Sequence, residues 1–255
     1  NRNKYEEKIS KSVQLGVLGV GIIFIIGVSS YCYKHLPIVD FRPYKIGTDI
    51  QEKMIIPVDA PQAEYKTILE YKKNNEIKEF SIDNLPDSTW EWVSSQNILI
   101  EEGYVPPIHD FNINTLDGND ITDIVLNEDK FTFILVAYDL AISDIENIKS
   151  IEYVYKYCKG TTNCNFIALT SSLNDDISKF KKENRASFPF YNTDEITLKT
   201  IVRSNPGLVL IKNGIILNKW HNNDIPGIQN LKKDFLTNKK FNSNIDKNKR
   251  TKLNA

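Results

Sequence analysis

Three cysteines and three histidines are the residues of this sequence best equipped for chemistry. Cys158 and Cys164 are separated by five residues, and Gly160 loosens the connection. Such a pair can close a structural disulfide in an oxidising compartment, stay as two buried thiols, or exchange electrons. Cys158 falls near the end of an expected helix, where the dipole raises a thiol's pKa, which counts against the redox-active reading. Cys32 lies inside an apolar run and reads most simply as an apolar filler. His35, His109 and His221 are far apart and show no metal-ligand spacing, so no metal is expected. His221 follows Trp220 beside Asp224 and reads as a cap on a hairpin end. There is no Gly-rich phosphate loop and no Gly-x-Ser-x-Gly elbow, so no cofactor is expected and no residue is assigned a catalytic role.

Around these residues the chain has 255 positions, 41% hydrophobic and 25% charged, enough to bury a core. Its formal net charge of -1 lacks the positive excess of a nucleic-acid binder, so no nucleic-acid partner is expected. Three cysteines are too few for a disulfide-rich scaffold. The chain opens on Asn1, which suits a processed product or a piece of a longer reading frame.

Residues 12 to 33 carry no charge, and Lys11 and Lys34 bracket them. As a helix they would extend roughly 33 Å, enough for the bilayer core. Tyr31 and Tyr33 stand where an interfacial belt would lie. A signal peptide and a buried core helix are the rival readings; the run is long, and no small-x-small cleavage site precedes Lys34. Arg2, Lys4, Lys8 and Lys11 before it, against Lys34, Arg42 and Lys45 after it, favour a cytoplasmic N-terminal flank over residues 1–11. Ser12, Gly16, Gly19, Gly27 and Ser30 form a stripe interrupted only by Ile23, a face on which other membrane helices could pack closely. Residues 34–48, with Pro37 and Pro43, read as a stiff collar holding an outer domain off the bilayer. Asp40 and Arg42 could pair locally within it.

Residues 49–103 read as a small β-rich region. Tyr65–Tyr71 and Glu76–Ile82 are strand-like, with Asn74-Asn75 as the turn. Trp90 and Trp92 alternate, which predicts one shared strand face. Over 104–237 the pattern becomes α/β. A strand is expected over Pro106–Thr115, a return over Ile121–Leu126 and a central strand over Phe131–Ala137. Ser143 and Glu146 make a capping box opening a helix that Gly160 ends, with Ile148, Ile151, Val154 and Tyr155 on its apolar face. Then follow a strand over Phe166–Leu169, a helix over Ile177–Glu183, a strand over Phe188–Phe190 and a helix over Glu195–Val202. A hairpin turning at Asn213-Gly214 closes the domain. This order predicts an α/β three-layer sandwich. Residues 238–255, with six basic residues and one acid, read as a disordered basic tail.

The strings Asp110–Gly118, Phe131–Ala137 and Asn205–Gly214 resemble the thioredoxin-like domain of TlpA and peroxiredoxin relatives. The resemblance implies a cis-proline before the hairpin, at Pro206. The strings His35–Lys45, Asp194–Gly207 and Lys219–Pro226 resemble the C-terminal half of Bacteroidetes-type DoxX family membrane proteins. That resemblance implies an upstream four-helix bundle, a bacterial inner-membrane location and a periplasmic outer domain. Thioredoxins place Cys-x-x-Cys after the central strand, where this chain has Tyr138-Asp-Leu-Ala-Ile-Ser143. Two function classes remain open. One is a membrane-anchored, non-catalytic binding or accessory module, with membrane helices and a periplasmic protein as partners. The other is a thiol–disulfide oxidoreductase whose cysteines sit on the bundle.

Overall fold

The computed structural model describes residues 10–74 and 76–238. Arg2, Lys4 and Lys8 of the N-terminal flank, Asn75 of the expected turn and the basic tail from Lys239 lie outside them. The described residues form two compact units, those of Asn1–Gln51 with Asp110–Ala255, and those of Glu52–His109. The expected division therefore shifts: the collar belongs to the α/β unit, and the small unit runs on to His109.

Helix α1 (Lys11–Lys34) begins at Ser10, whose side chain accepts the Val13 N–H. It stops at His35, which turns extended two residues before Pro37. None of its residues is buried, which removes the core-helix reading, and it is long and apolar enough to cross a membrane. A Cβ at Gly16, Gly19 or Gly27 would meet nothing within 4 Å, so no described part of the chain covers the small-residue stripe.

The collar is not a free spacer. Tyr44 is buried, its ring 5.9 Å from that of Phe111. Asp40 pairs with Arg42 at 3.0 Å and with the ammonium of Lys219, whose side chain is 3% exposed. Lys219 also donates to the Ile201 carbonyl, and Arg42 to that of Lys199. Burial by itself would raise Asp40, but the hydrogen bonds from Lys219 and Arg42 outweigh it and hold the carboxyl at about 2, against 3.8 ordinarily. Burial pushes Lys219 down, while Asp40 pulls it back up.

After α2 (Ile50–Met54), β1 (Glu64–Lys73), β2 (Glu76–Ser81) and β3 (Glu91–Glu101) form an antiparallel sheet of order β2-β1-β3. Asn74 takes a positive φ of 48°, as a tight hairpin turn requires. The two tryptophans do not share a strand face. Trp90 precedes β3 and packs edge-on against Phe80, which does the same against Tyr71, while Trp92 is exposed.

In the larger unit, α3 (Thr122–Leu126), β4 (Phe131–Val136), α4 (Ile148–Lys159), β5 (Cys164–Thr170), α5 (Asn174–Asn184), β6 (Phe190–Asn192), α6 (Glu195–Ile201), β7 (Gly207–Lys212) and β8 (Ile215–His221) follow in order. The sheet runs β6-β5-β4-β7-β8. Strands β4, β5 and β6 are parallel, and β7 and β8 antiparallel. Every residue of β4 is buried, as expected of a strand covered on both faces. Phe133, Leu135, Leu208 and Leu210 share one core with Ile151 and Val154 of α4 and Ile177 and Phe180 of α5. The alternate residues Ile134, Val136, Val209 and Ile211 are buried on the opposite face. This is the thioredoxin-like three-layer α/β sandwich.

Three local expectations fail. Residues 106–115 make only isolated bridges, from Asn114 to Asp120 and Asn192. The expected return over 121–126 is the helix α3, because Asp120 accepts both the N–H and the hydroxyl of Thr122 and turns the chain. The capping box does not form. Glu146 N–H bonds Asp144 instead, and α4 starts at Ile148, five residues after the expected cap. The Asn213-Gly214 turn is as expected, with φ of 50° and 73°.

Asp40→Asn should cost about 3 kcal/mol, because Lys219 is then buried without its counter-charge. Asp40 is held below its unfolded value, so the stability it contributes is complete above about pH 4 and lost as pH falls towards about 2. Urea unfolding at stepped pH should show that slope in the parent chain and a flattened one in the variant.

Candidate functional site

The larger unit has a cleft of about 660 Å³ at the carboxyl end of β4. Tyr138, Asp144, Lys199, Arg203, Asn205 and Asn222 are among its lining residues, with Cys32, Tyr33 and Lys34 from the end of α1. Such an edge, where parallel strands deliver loops, is where α/β folds bind ligands.

Pro206 stands where expected, and the Asn205–Pro206 bond is cis. The two loops at the cleft are tied to each other. Asn205 donates from Nδ2 to the Asp139 carbonyl at 2.7 Å, and its own carbonyl accepts the Asp144 N–H at 2.8 Å. Asp139 Oδ1 accepts the Ala141 N–H, and Ser172 Oγ accepts that of Leu140. The segment Tyr138–Ser143 is thus a loop held by the proline loop, not the first turn of a helix.

A second net lies behind it. Ser204 Oγ donates to the Pro206 carbonyl and accepts the Asn222 N–H at 2.9 Å. Asn147 donates to the Asn222 carbonyl at 2.8 Å. Asn222 is 1% exposed, yet both of its amide atoms, together with Asn205 Oδ1 and Ser143 Oγ, find no protein partner among the described residues. Buried polar atoms without partners are uncommon and concentrate at functional places.

The charges are mixed. Asp139, Asp144 and Glu146 stand on one loop, and Lys199 and Arg203 also line the cleft. Lys199 pairs with Glu195 and lies 5.0 Å from the Tyr138 ring centre. His221 caps the turn after β8, accepting the Asn223 N–H at 3.2 Å. Burial lowers its pKa against the pull of Asp224, which keeps the imidazole neutral at neutral pH. Asp224 itself bonds His35 at 2.7 Å. His109 belongs to the other unit.

Cys158 and Cys164 lie away from this cleft, at the end of α4 and the start of β5. Both are buried and unbonded, with their sulfurs 2.6 Å apart. Cys32 is not an apolar filler: it is exposed and lines the cleft. Its position in the sequence carries no signal for this, because the docking of the collar brings it there.

A family profile described as a domain of unknown function (DUF8463) matches residues 65–102, within the small unit. No curated protein matches the chain. Among solved structures, it is similar to a thiol-disulfide oxidoreductase from Bacteroides fragilis, at 12% identity over 49% of this chain and 96% of that one, with a TM-score of 0.40. A thioredoxin-like protein from Aeropyrum pernix gives 14% identity over 49% and 86%, with a TM-score of 0.38. A secreted thiol-disulfide isomerase from Corynebacterium glutamicum gives 10% over 48% and 79%, with a TM-score of 0.37.

Gly207 fixes how closely the proline loop approaches. A Cβ there would stand 2.7 and 2.8 Å from the two methyls of Val202. Gly207→Ala should therefore lower stability by roughly 1–3 kcal/mol through overpacking. Asn205→Ala should cost about 1 kcal/mol and speed hydrogen exchange at Asp144, whose N–H depends on that loop. Denaturant titration and amide exchange measure the two effects.

Proposed function

We propose that this chain is a membrane-anchored, periplasmic thioredoxin-like module that binds a partner without turning over thiols. In this reading it is the accessory part of a DoxX-type membrane protein. One observation carries it: the cis-proline loop is kept, while Asp139–Ser143, bonded to that loop through Asn205, takes the place of the thiol pair. Thiol exchange needs an activated thiolate and a resolving thiol side by side. Asp139 and Asp144 would raise the pKa of any thiol brought beside them. The uncovered stripe of Ser12, Gly16, Gly19, Gly27 and Ser30 supports neighbouring membrane helices as partners. The bias of basic residues before α1 supports a periplasmic outer domain.

One observation favours a second reading, in which cysteines of an upstream bundle feed this domain: Cys32 lines the cleft beside the proline loop. One assay tests the first reading. The full chain in detergent should reduce a model disulfide peptide no faster than its dithiothreitol donor alone. Turnover abolished by Cys32→Ser would overturn it. For location, protease added to spheroplasts should digest the chain beyond Asp49, and full protection would overturn the periplasmic assignment.

A further inference from the structure

We propose that Cys158 and Cys164 are oxidised to a disulfide that staples the end of α4 to the start of β5, at the end of the strands opposite the cis-proline cleft. Cys158 lies in the last turn of α4, and Cys164 is the first residue of β5, paired with Phe131 of β4. Their sulfurs are in direct contact at 2.6 Å, within reach of a bond of about 2.05 Å. The connector is folded on itself, with the Gly160 N–H bonding the Lys156 carbonyl and the Thr161 N–H that of Cys158. Both cysteines are almost fully buried, at 3% and 2% exposure, and both belong to the cluster that holds Phe131, Val154 and Phe166.

Contact with Cys164, then burial, pushes the Cys158 thiol up. Closure starts when one of the two sulfurs, as thiolate, attacks a low-mass disulfide, forming a mixed disulfide and expelling one thiol. The other cysteine then loses its proton to solvent and attacks the sulfur of the first, expelling the second thiol. The protein gives up two electrons and two protons, and the oxidant becomes two thiols. Burial confines this to folding or to brief opening of residues 159–163, and it shields the finished bond from reductant. A shuttle would need exposure; a staple does not. In the cell the oxidant depends on the outward-facing reading above, whereas the chemistry of the pair does not.

The test uses the full chain carrying Cys32→Ser, purified in detergent, exposed to oxidised glutathione, denatured, alkylated and digested with trypsin. Cleavage after Lys159 separates the two cysteines. The Cys158 and Cys164 fragments should remain joined, about 2 Da below the sum of the free thiols, and part on reduction. The reduced chain should melt roughly 5 °C lower. Recovery of both cysteines alkylated from a chain that circular dichroism shows folded would overturn the proposal. So would reduction of the folded chain within seconds by dithiothreitol. A cytoplasmic location found by protease would overturn the outward-facing reading while leaving this result in place.

Discussion

An ammonium buried to 3% exposure needs an anion, and the anion of Lys219 comes from Asp40, 179 residues away in the chain. That constraint organises the larger unit. It draws the segment after α1 onto β8, where Arg42 reaches the carbonyl of Lys199 and Tyr44 enters the core. Further on, Gly47 N–H bonds the Ile216 carbonyl and Ile216 N–H that of Thr48, so the collar pairs with part of the exposed edge of the sheet. A long apolar helix on a loose tether leaves its domain free to wander. Here the tether is itself a structural part, and the end of α1 becomes one wall of the cleft.

The cleft is built from two loops that hold each other. Helix α4 begins at Ile148, so its first-turn amides and its dipole lie beyond Ser143. Asp139, Asp144 and Asn205 satisfy backbone groups of the two loops. The amide of Asn222 beneath them, without a partner among the described residues, retains hydrogen-bonding capacity.

What the sequence made legible follows from the range of the interactions involved. The all-apolar Phe131–Val136 and the Asn213-Gly214 turn report local requirements, and both stand as read. Pro206 was found through a resemblance of strings, which carries long-range information that propensity does not. The capping box failed because Asp144 outcompeted Ser143 for the local N–H groups, a choice among similar hydrogen bonds that spacing cannot rank. The strand expected over 121–126 failed because the Asp120–Thr122 pair is a turn device inside an apolar pattern. The partnership of Asp40 with Lys219 and the exposure of Cys32 to the cleft were invisible for another reason: each depends on where distant segments dock. Arg42 was legible as Asp40's neighbour, and the buried partner was not.

The small unit begins and ends on its own hydrogen bonds. Ile108 N–H bonds the Lys53 carbonyl and Tyr104 N–H that of Pro61, while Gly103 lies against Ala63 so closely that a Cβ would stand 2.5 Å from its nitrogen. The chain therefore leaves and returns through a closed neck, much as a stem closes a loop in a nucleic acid. The entropy of closing the excursion is met at the neck, and it grows only slowly with the length enclosed. What lies above the neck can lengthen, shrink or be exchanged without altering the register of the chain on either side. A family profile confined to residues 65–102 fits such a segment, which evolution can treat as a cassette.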